Sequence, residues 1–372
     1  MALSKIKANS ITDDSITTDQ IADTSVHGRR NLVINGAMTI SQRGTSFTGF
    51  GAGVNYSLDR FAHFHSSDGA FTVSQETSVV PTDFTHALKV QTTTADASIA
   101  AGQRLIVFTR CEGNTVSHLN WGTSAAKTVT LSFYVRSSIT GTHGGAFGNG
   151  SDNRNYPFTY TINSADTWER KTITVAGDTS GTWATGTGRS LQVVWGLGVG
   201  STYSGAAGAW ASGDINSATG ATTGVLGTLN ATWYLTGVQL EVGQATPFEH
   251  EPFGVTLQKA MRYYEKSYDY GTAPGASNNG TGIDHRTVGR DTPNAYGFFS
   301  TKFTTTKRAG PAVTVYAYTG TANKISNGDS GAELATVDAI QLSTTGFLTR
   351  NQQGSTITDQ AIMFHYVADS EL

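Results

Sequence analysis

The chain has 372 residues, of which 38% are hydrophobic and 14% charged, with 43 glycines, 7 prolines, one cysteine and a formal net charge of −3. That length accommodates two or three domains with cores of their own. Sparse charge with no run of Lys or Arg longer than a pair excludes a phosphate-tracking nucleic-acid surface and a polybasic membrane patch. Cys111 stands alone, which rules out an internal disulfide and a cysteine-based zinc site and leaves a small buried hydrophobe as its expected role. No apolar stretch reaches the roughly 20 residues that span a bilayer, so membrane insertion is not expected. Met1–Leu3 run straight into Lys5 and Lys7, so a secretory leader is not expected either, and synthesis in a cytoplasm is. Short neutral polar residues alternating with Val, Leu, Phe and Tyr suit strands joined by Gly-rich turns, and the composition reads as all-β.

The first pattern along the chain is Ile6, Ile11, Ile16, Ile21 and Val26, spaced by five. Five is neither the helical period nor the strand period. One apolar side chain in five builds no core within one chain. The stripe is buried if several chains wind together, or if the segment lies in another protein's groove. Residues 1–29 are therefore read as an extended attachment and trimerisation arm, against the competing reading of a disordered polar tail.

Behind the arm come Arg30-Asn31-Leu32-Val33-Ile34-Asn35-Gly36-Ala37-Met38, Ser41-Gln42-Arg43-Gly44-Thr45 and Tyr56-Ser57-Leu58-Asp59-Arg60-Phe61. With the leader, these motifs resemble bacteriophage tail fibre proteins. The resemblance implies an N-terminus that faces the virion, with residues 1–28 contacting other tail proteins, and distal parts that face the host.

Residues 30–252 read as a succession of strands. Residues 127–137 alternate cleanly, with Val129, Leu131, Phe133 and Val135 on one face and Thr128, Thr130, Ser132, Tyr134 and Arg136 on the other. Residues 167–175, 190–199 and 232–242 behave similarly, and 71–76, 87–93, 104–110 and 158–162 are weaker candidates. Asn149-Gly150 marks a turn. Roughly eight strands without a helical interval predict a jelly-roll β-sandwich, and 200–227, rich in Gly, Ala, Ser and Thr, reads as a long surface loop. Trp233-Tyr234-Leu235-Thr236-Gly237-Val238-Gln239-Leu240-Glu241-Val242-Gly243, then Ala245-Thr246-Pro247-Phe248-Glu249, resembles the last strand of carbohydrate-binding-module-like jelly rolls in phage fibres. Trp168-Glu169-Arg170 resembles the start of an earlier strand of that fold. If glycan is bound, exposed aromatic rings should carry it. Trp195, inside Val193-Val194-Trp195-Gly196-Leu197, reads as core, whereas Trp183 and Trp210 fall on predicted loops and are the candidate ligand-binding residues.

Glu251-Pro252-Phe253-Gly254 marks a boundary. Thr256 is placed to cap a short connecting helix over about 257–266, within a 253–270 connector, whose Leu257, Ala260, Met261 and Tyr264 share one stripe. So short a helix needs a partner, either the sandwich or its own copies about a threefold axis. Leu257, Met261 and Tyr264 are accordingly candidate assembly residues with the five-residue stripe. Gln258-Lys259-Ala260-Met261-Arg262-Tyr263-Tyr264-Glu265-Lys266-Ser267-Tyr268 resembles a junction motif of phage fibres. Beyond a linker at 271–282 a C-terminal β-rich domain is predicted, closing residues 271–372, with strands at 295–303, 312–318, 336–342 and 361–367. Lys307-Arg308-Ala309-Gly310-Pro311-Ala312-Val313-Thr314-Val315-Tyr316 and His365-Tyr366-Val367-Ala368-Asp369-Ser370-Glu371-Leu372 resemble the distal module of the same fibres.

No nucleophile elbow, P-loop, HExxH or paired CxxC motif is present, and neither a catalytic residue, a metal nor a cofactor is expected. His63-Phe64-His65 puts two imidazoles on one side of a strand, better read as a core-edge pair than as metal ligands. Asp284-His285 has no nucleophile beside it, and Asn327-Gly328-Asp329-Ser330 reads as a hairpin turn. A tailspike depolymerase would need two spaced carboxylates. Asp152, Asp166, Glu169 and Asp214 are available, but nothing pairs them. The resemblance thus implies a non-enzymatic tail fibre subunit of the virion, a homotrimer that attaches to a host-surface glycan or protein receptor. A virion adaptor, spacer or decoration protein is the alternative.

Overall fold

The computed structural model describes residues 30–288, 296–352 and 360–372. Ile6, Ile11, Ile16, Ile21 and Val26, with the rest of the arm, lie outside the described residues. The protein is all-β, and two sheets whose strands fall between Ser46 and Val242 form a jelly-roll sandwich. Among the described residues its first sheet has six strands, in the order Ser46–Phe47, Ala70–Glu76, Ala87–Thr94, Thr232–Val242, Val129–Ser137 and Glu169–Val175. The second has seven: Ala211–Ser212, Arg154–Ile162, Gly141–Asn149, Arg189–Val199, Arg104–Glu112, Phe61–His65 and Gly53–Tyr56. The pairings are antiparallel, so alternate side chains of each strand enter the space between the sheets. Val129, Leu131, Phe133 and Val135 do so with no measurable exposure, facing Val193, Trp195 and Leu197 of the opposite sheet. Trp195 is core, and Cys111 is buried with its thiol toward the Leu32 carbonyl at 3.6 Å. Burial pushes that thiol's pKa up to about 12, which keeps it protonated and inert.

The segment 200–227 is less of a loop than its composition suggested. Ser204–Gly205 and Ser217–Ala218 pair in parallel, Ala211–Ser212 extends the second sheet, and the Gly224–Gly227 turn of helix buries Val225 and Leu226. Ser217 packs over Gly144, where any β-carbon would collide with its hydroxyl and with the Ala218 amide. The segment therefore lies across the outer face of the second sheet. There Tyr203 joins a small apolar cluster of Ala62, Ile106, Phe108, Val194 and Val199. Arg104 is held between the rings of Phe64 and Tyr203, at 4.5 and 3.9 Å, and pairs with Asp214 at 2.7 Å. The chain thus covers most of that face itself.

The connecting helix differs from expectation. It runs Phe253–Met261 and is capped at Pro252, not Thr256. Pro252 suits a helix start because it has no N–H to satisfy, while the Thr256 hydroxyl, now inside the helix, donates to Glu251 at 2.9 Å. Thr256 and Ala260 are its buried residues, and Leu257 and Met261 are half-buried. Tyr264 is not on the helix at all. It opens the strand Tyr264–Lys266, which pairs with Gln360–Asp369, and its ring, 5% exposed, lies under the Arg43 guanidinium at 3.6 Å. That leaves Tyr264 no free face for a neighbouring copy.

The C-terminal domain has its own core, with Phe303, Val315, Ile325, Val337, Phe347, Ile362, Phe364 and Tyr366 in contact. Its sheet is organised on Gln360–Asp369, against which Tyr264–Lys266, Asp284–Val288, Ala312–Tyr316 and Lys324–Asn327 all pair. Asn327 accepts from the amides of Asp329 and Ser330, as a hairpin turn requires. Lys307 and Glu265 form an ion pair with almost no exposure, to which Tyr366 adds a hydroxyl donor. No helix among the described residues is long and apolar enough to cross a membrane.

Between the two cores the seam is polar. Arg60 pairs with Glu371 and stacks on Tyr263 at 3.5 Å. Arg43 reaches Asp369 at 3.1 Å and Glu371 at 3.5 Å, and Arg262 grips Glu112 at 2.7 and 3.0 Å. Gln42 donates to Asp59 and to the Tyr264 carbonyl. The tail 369–372 thereby folds back onto the sandwich.

Candidate functional site

At the end of the sandwich where Arg104–Glu112 and Gly141–Asn149 stop and Arg154–Ile162 and Arg189–Val199 begin, three loops converge. Each brings one tryptophan. Trp121 is nearly buried at 7% exposure, and Trp183 and Trp210 are half-buried beside it. The rings meet edge to face, Trp121 with Trp183 at 4.7 Å, Trp121 with Trp210 at 5.2 Å and Trp183 with Trp210 at 5.5 Å. Such geometry sets the positive edge of one ring on the negative face of the next. Tyr156 joins Trp210 at 5.4 Å. The indole N–H groups of Trp121, Trp183 and Trp210 donate to the carbonyls of Lys127, Ser180 and Ala176 respectively.

The loop that carries Trp183 is pinned from below. Asp178, fully buried, accepts a two-pronged bond from Arg154, both at 2.8 Å, and another from the Ser180 amide at 3.2 Å. Burial alone would raise the Asp178 carboxyl, but Arg154 and Ser180 hold it below the ordinary carboxylate range. Asn149 adds a bond to the Thr182 carbonyl at 3.1 Å. Gly122 lets the first loop approach: its φ is 86°, and a β-carbon there would meet the Gly181 carbonyl at 2.9 Å and the Trp183 ring at 3.1 Å. Gly122→Ala is accordingly expected to cost about 1–3 kcal/mol, and to shift tryptophan fluorescence as Trp121 and Trp183 separate, readable in one urea titration. Asn153, Ser180, Thr182 and Thr185 are exposed around the cluster and give it a neutral amide and hydroxyl rim.

Trp183 and Trp210, each placed on a predicted loop by the sequence, stand together. Trp121 and Tyr156 were missed. Trp121 follows a left-handed Asn120 with φ of 54°, and only the Asn120-Trp121-Gly122 turn signature hinted at its loop placement. The other singled-out residues behave as packing. His63 and His65 contact Phe71 at 5.2 and 5.3 Å, and Phe50 covers His63 at 4.0 Å. Among the described residues no group of three or more His, Cys, Asp or Glu side chains could hold a metal ion. Among the described residues neither nitrogen of His63 has a hydrogen-bond partner, and burial, with His65 adding to it, lowers its pKa to about 3 from 6.5. An unfolded chain takes up that proton near pH 6.5 and the folded one does not, so stability is full above 6.5 and falls as pH drops toward 3. The slope is on the order of 1.4 kcal/mol per pH unit. Urea unfolding at pH 7, 5 and 4 is expected to show it, and His63→Leu to flatten it.

No family model matches the chain, and no curated protein matches it. Among solved structures it is similar to the enzymatically active domain of tailspike protein 4 of bacteriophage CBA120, at 8% identity over 57% of this chain with a TM-score of 0.30. The match spans only 21% of that tailspike chain. It is also similar to a family 61 carbohydrate-binding module in complex with β-1,4-galactotriose, at 7% identity over 58% of this chain and 100% of the module, with a TM-score of 0.31. A family 11 carbohydrate-binding module from Clostridium thermocellum, in complex with a mixed-linked tetrasaccharide, matches at 8% identity over 54% of this chain and 100% of its own, with a TM-score of 0.27.

Proposed function

We propose that this chain is a structural subunit of a bacteriophage tail fibre that holds host-surface glycan at the tryptophan cluster. The convergence of Trp121, Trp183 and Trp210 at one sandwich end carries the reading. The C–H face of a sugar packs on aromatic carbon, and its hydroxyls bond to neutral amide and hydroxyl groups nearby. Both are present here, in the half-exposed rings of Trp183 and Trp210 and in the rim of Asn153, Ser180, Thr182 and Thr185. In this reading residues 1–28 anchor the subunit to other tail proteins and join three copies of it in the virion.

Binding without hydrolysis is supported by the acidic residues. Asp152 pairs with Arg189, Asp166 with Arg136, Glu169 with Lys171 and Asp214 with Arg104. Burial works against the Glu169 charge, but Lys171, Ser164 and Asn163 bring its pKa down to about 2, so it is no proton donor. Glycoside cleavage needs one carboxyl that keeps its proton and a second at a set distance. A spacer role has one observation in its favour, since each indole N–H is already satisfied by a carbonyl of the same chain.

The test is to pass the full chain over immobilised surface polysaccharide from the phage's host and to use the same protein to compete with phage adsorption. Retention and competition are expected, with a threefold mass by light scattering. A folded protein that is neither retained nor competes would leave the spacer reading.

A further inference from the structure

The three tryptophan loops are tied together at one short segment, 176–180. Its Ala176 carbonyl accepts the Trp210 indole N–H at 2.9 Å, and its Ser180 carbonyl accepts that of Trp183 at 3.2 Å. Between them the Asp178 carbonyl accepts the amide of Gly122, the neighbour of Trp121, at 2.7 Å. What holds this segment in turn is a side-chain contact. The Asp178 carboxylate, 1% exposed, receives both prongs of Arg154 at 2.8 Å and longer bonds from the Ser180 amide and hydroxyl, each at 3.2 Å. Arg154 opens the strand Arg154–Ile162, and its backbone pairs with Ser212, two residues beyond Trp210. The ion pair therefore joins the segment that anchors Trp183 to the strand against which the Trp210 segment is paired.

A fork of two parallel charge-assisted bonds fixes orientation as well as distance. Edge-to-face ring contacts are weak beside the entropy of ordering three loops, so the rings depend on this tie for their mutual placement. We propose that Arg154 and Asp178 are positioning residues of the platform, which raise its affinity by holding Trp183 and Trp210 in place without touching the glycan. The proposal rests on reading the cluster as a glycan platform. A ring that is already placed adds its full contact to a sugar face, whereas one that must be ordered on binding loses part of that gain.

The experiment measures affinity for host surface polysaccharide, thermal unfolding and circular dichroism on the full chain. Indoles at 4.7–5.5 Å couple their electronic transitions and give a paired band that reports their arrangement directly. Asp178→Asn keeps the shape of the side chain and an acceptor for Ser180 but gives up the ionic fork. It is expected to bind at least about tenfold more weakly and to lose the paired band while still folded. Arg154→Lys keeps the charge but cannot span both carboxylate oxygens, and it is expected to do the same should Asp178→Asn fail to fold. In the Trp183→Ala, Trp210→Ala background neither change should lower affinity further, because no outer ring is left to place. Native affinity in both folded variants would overturn this inference and leave the platform standing. So would a loss of affinity with the paired band intact, or a further loss in the background without the two rings. A native chain that binds no host polysaccharide would overturn both.

Discussion

Alanine at both Trp183 and Trp210 is expected to lower retention on host polysaccharide by at least about thirtyfold, while the protein stays folded. Aromatic anchors at the centre of a binding surface typically contribute 2 kcal/mol or more, which is about thirtyfold in affinity. Both rings are half-buried and pack against the main core, so their loss removes only part of their area from that core and should cost about 1–2 kcal/mol of stability each. Trp121→Ala makes the contrasting control. At 7% exposure it is expected to cost about 3–5 kcal/mol through the void it leaves. Retention and thermal unfolding measured side by side separate the cases. Unchanged retention in the folded double variant would assign the cluster to packing and favour a spacer.

Breaking the seam between the two cores is expected to cost as much stability as the loss of Trp121. Arg60 and Glu371 are 2% and 3% exposed as a pair, and the Arg60 Nε has no partner among the described residues. Removing one charge from a buried pair leaves the other uncompensated, at about 3–5 kcal/mol. Because each domain has its own apolar core and the contact between them is largely ionic, that loss should uncouple them. Calorimetry of Glu371→Gln is expected to show two transitions where the native chain shows one. A single transition at the native temperature would mean that the seam does not couple the domains.

Strands with clear alternation were legible from sequence: 232–242 coincides with Thr232–Val242, and 127–137 contains Val129–Ser137. Gly141–Asn149 was not, because the feature that makes it a strand is tertiary. Small residues are needed there to admit Ser217 on one side and Phe158 on the other, and glycine carries no strand signal of its own. The helix was placed four residues late because Thr256 looked like a cap, whereas Pro252 supplies the start. Loop placement of Trp183 and Trp210 was legible from the glycines around them. Their convergence on Trp121 was not, since it depends on Arg154 reaching Asp178 and on Gly122 allowing two loops to touch, contacts that no local pattern announces.

The most direct test of the fibre reading is a cryo-EM map of the intact virion with this chain traced. Three copies joined through residues 1–28 at the tail are expected, with the tryptophan cluster exposed toward the host. A chain lying flat in the tail wall or on the capsid, with the cluster covered, would contradict it.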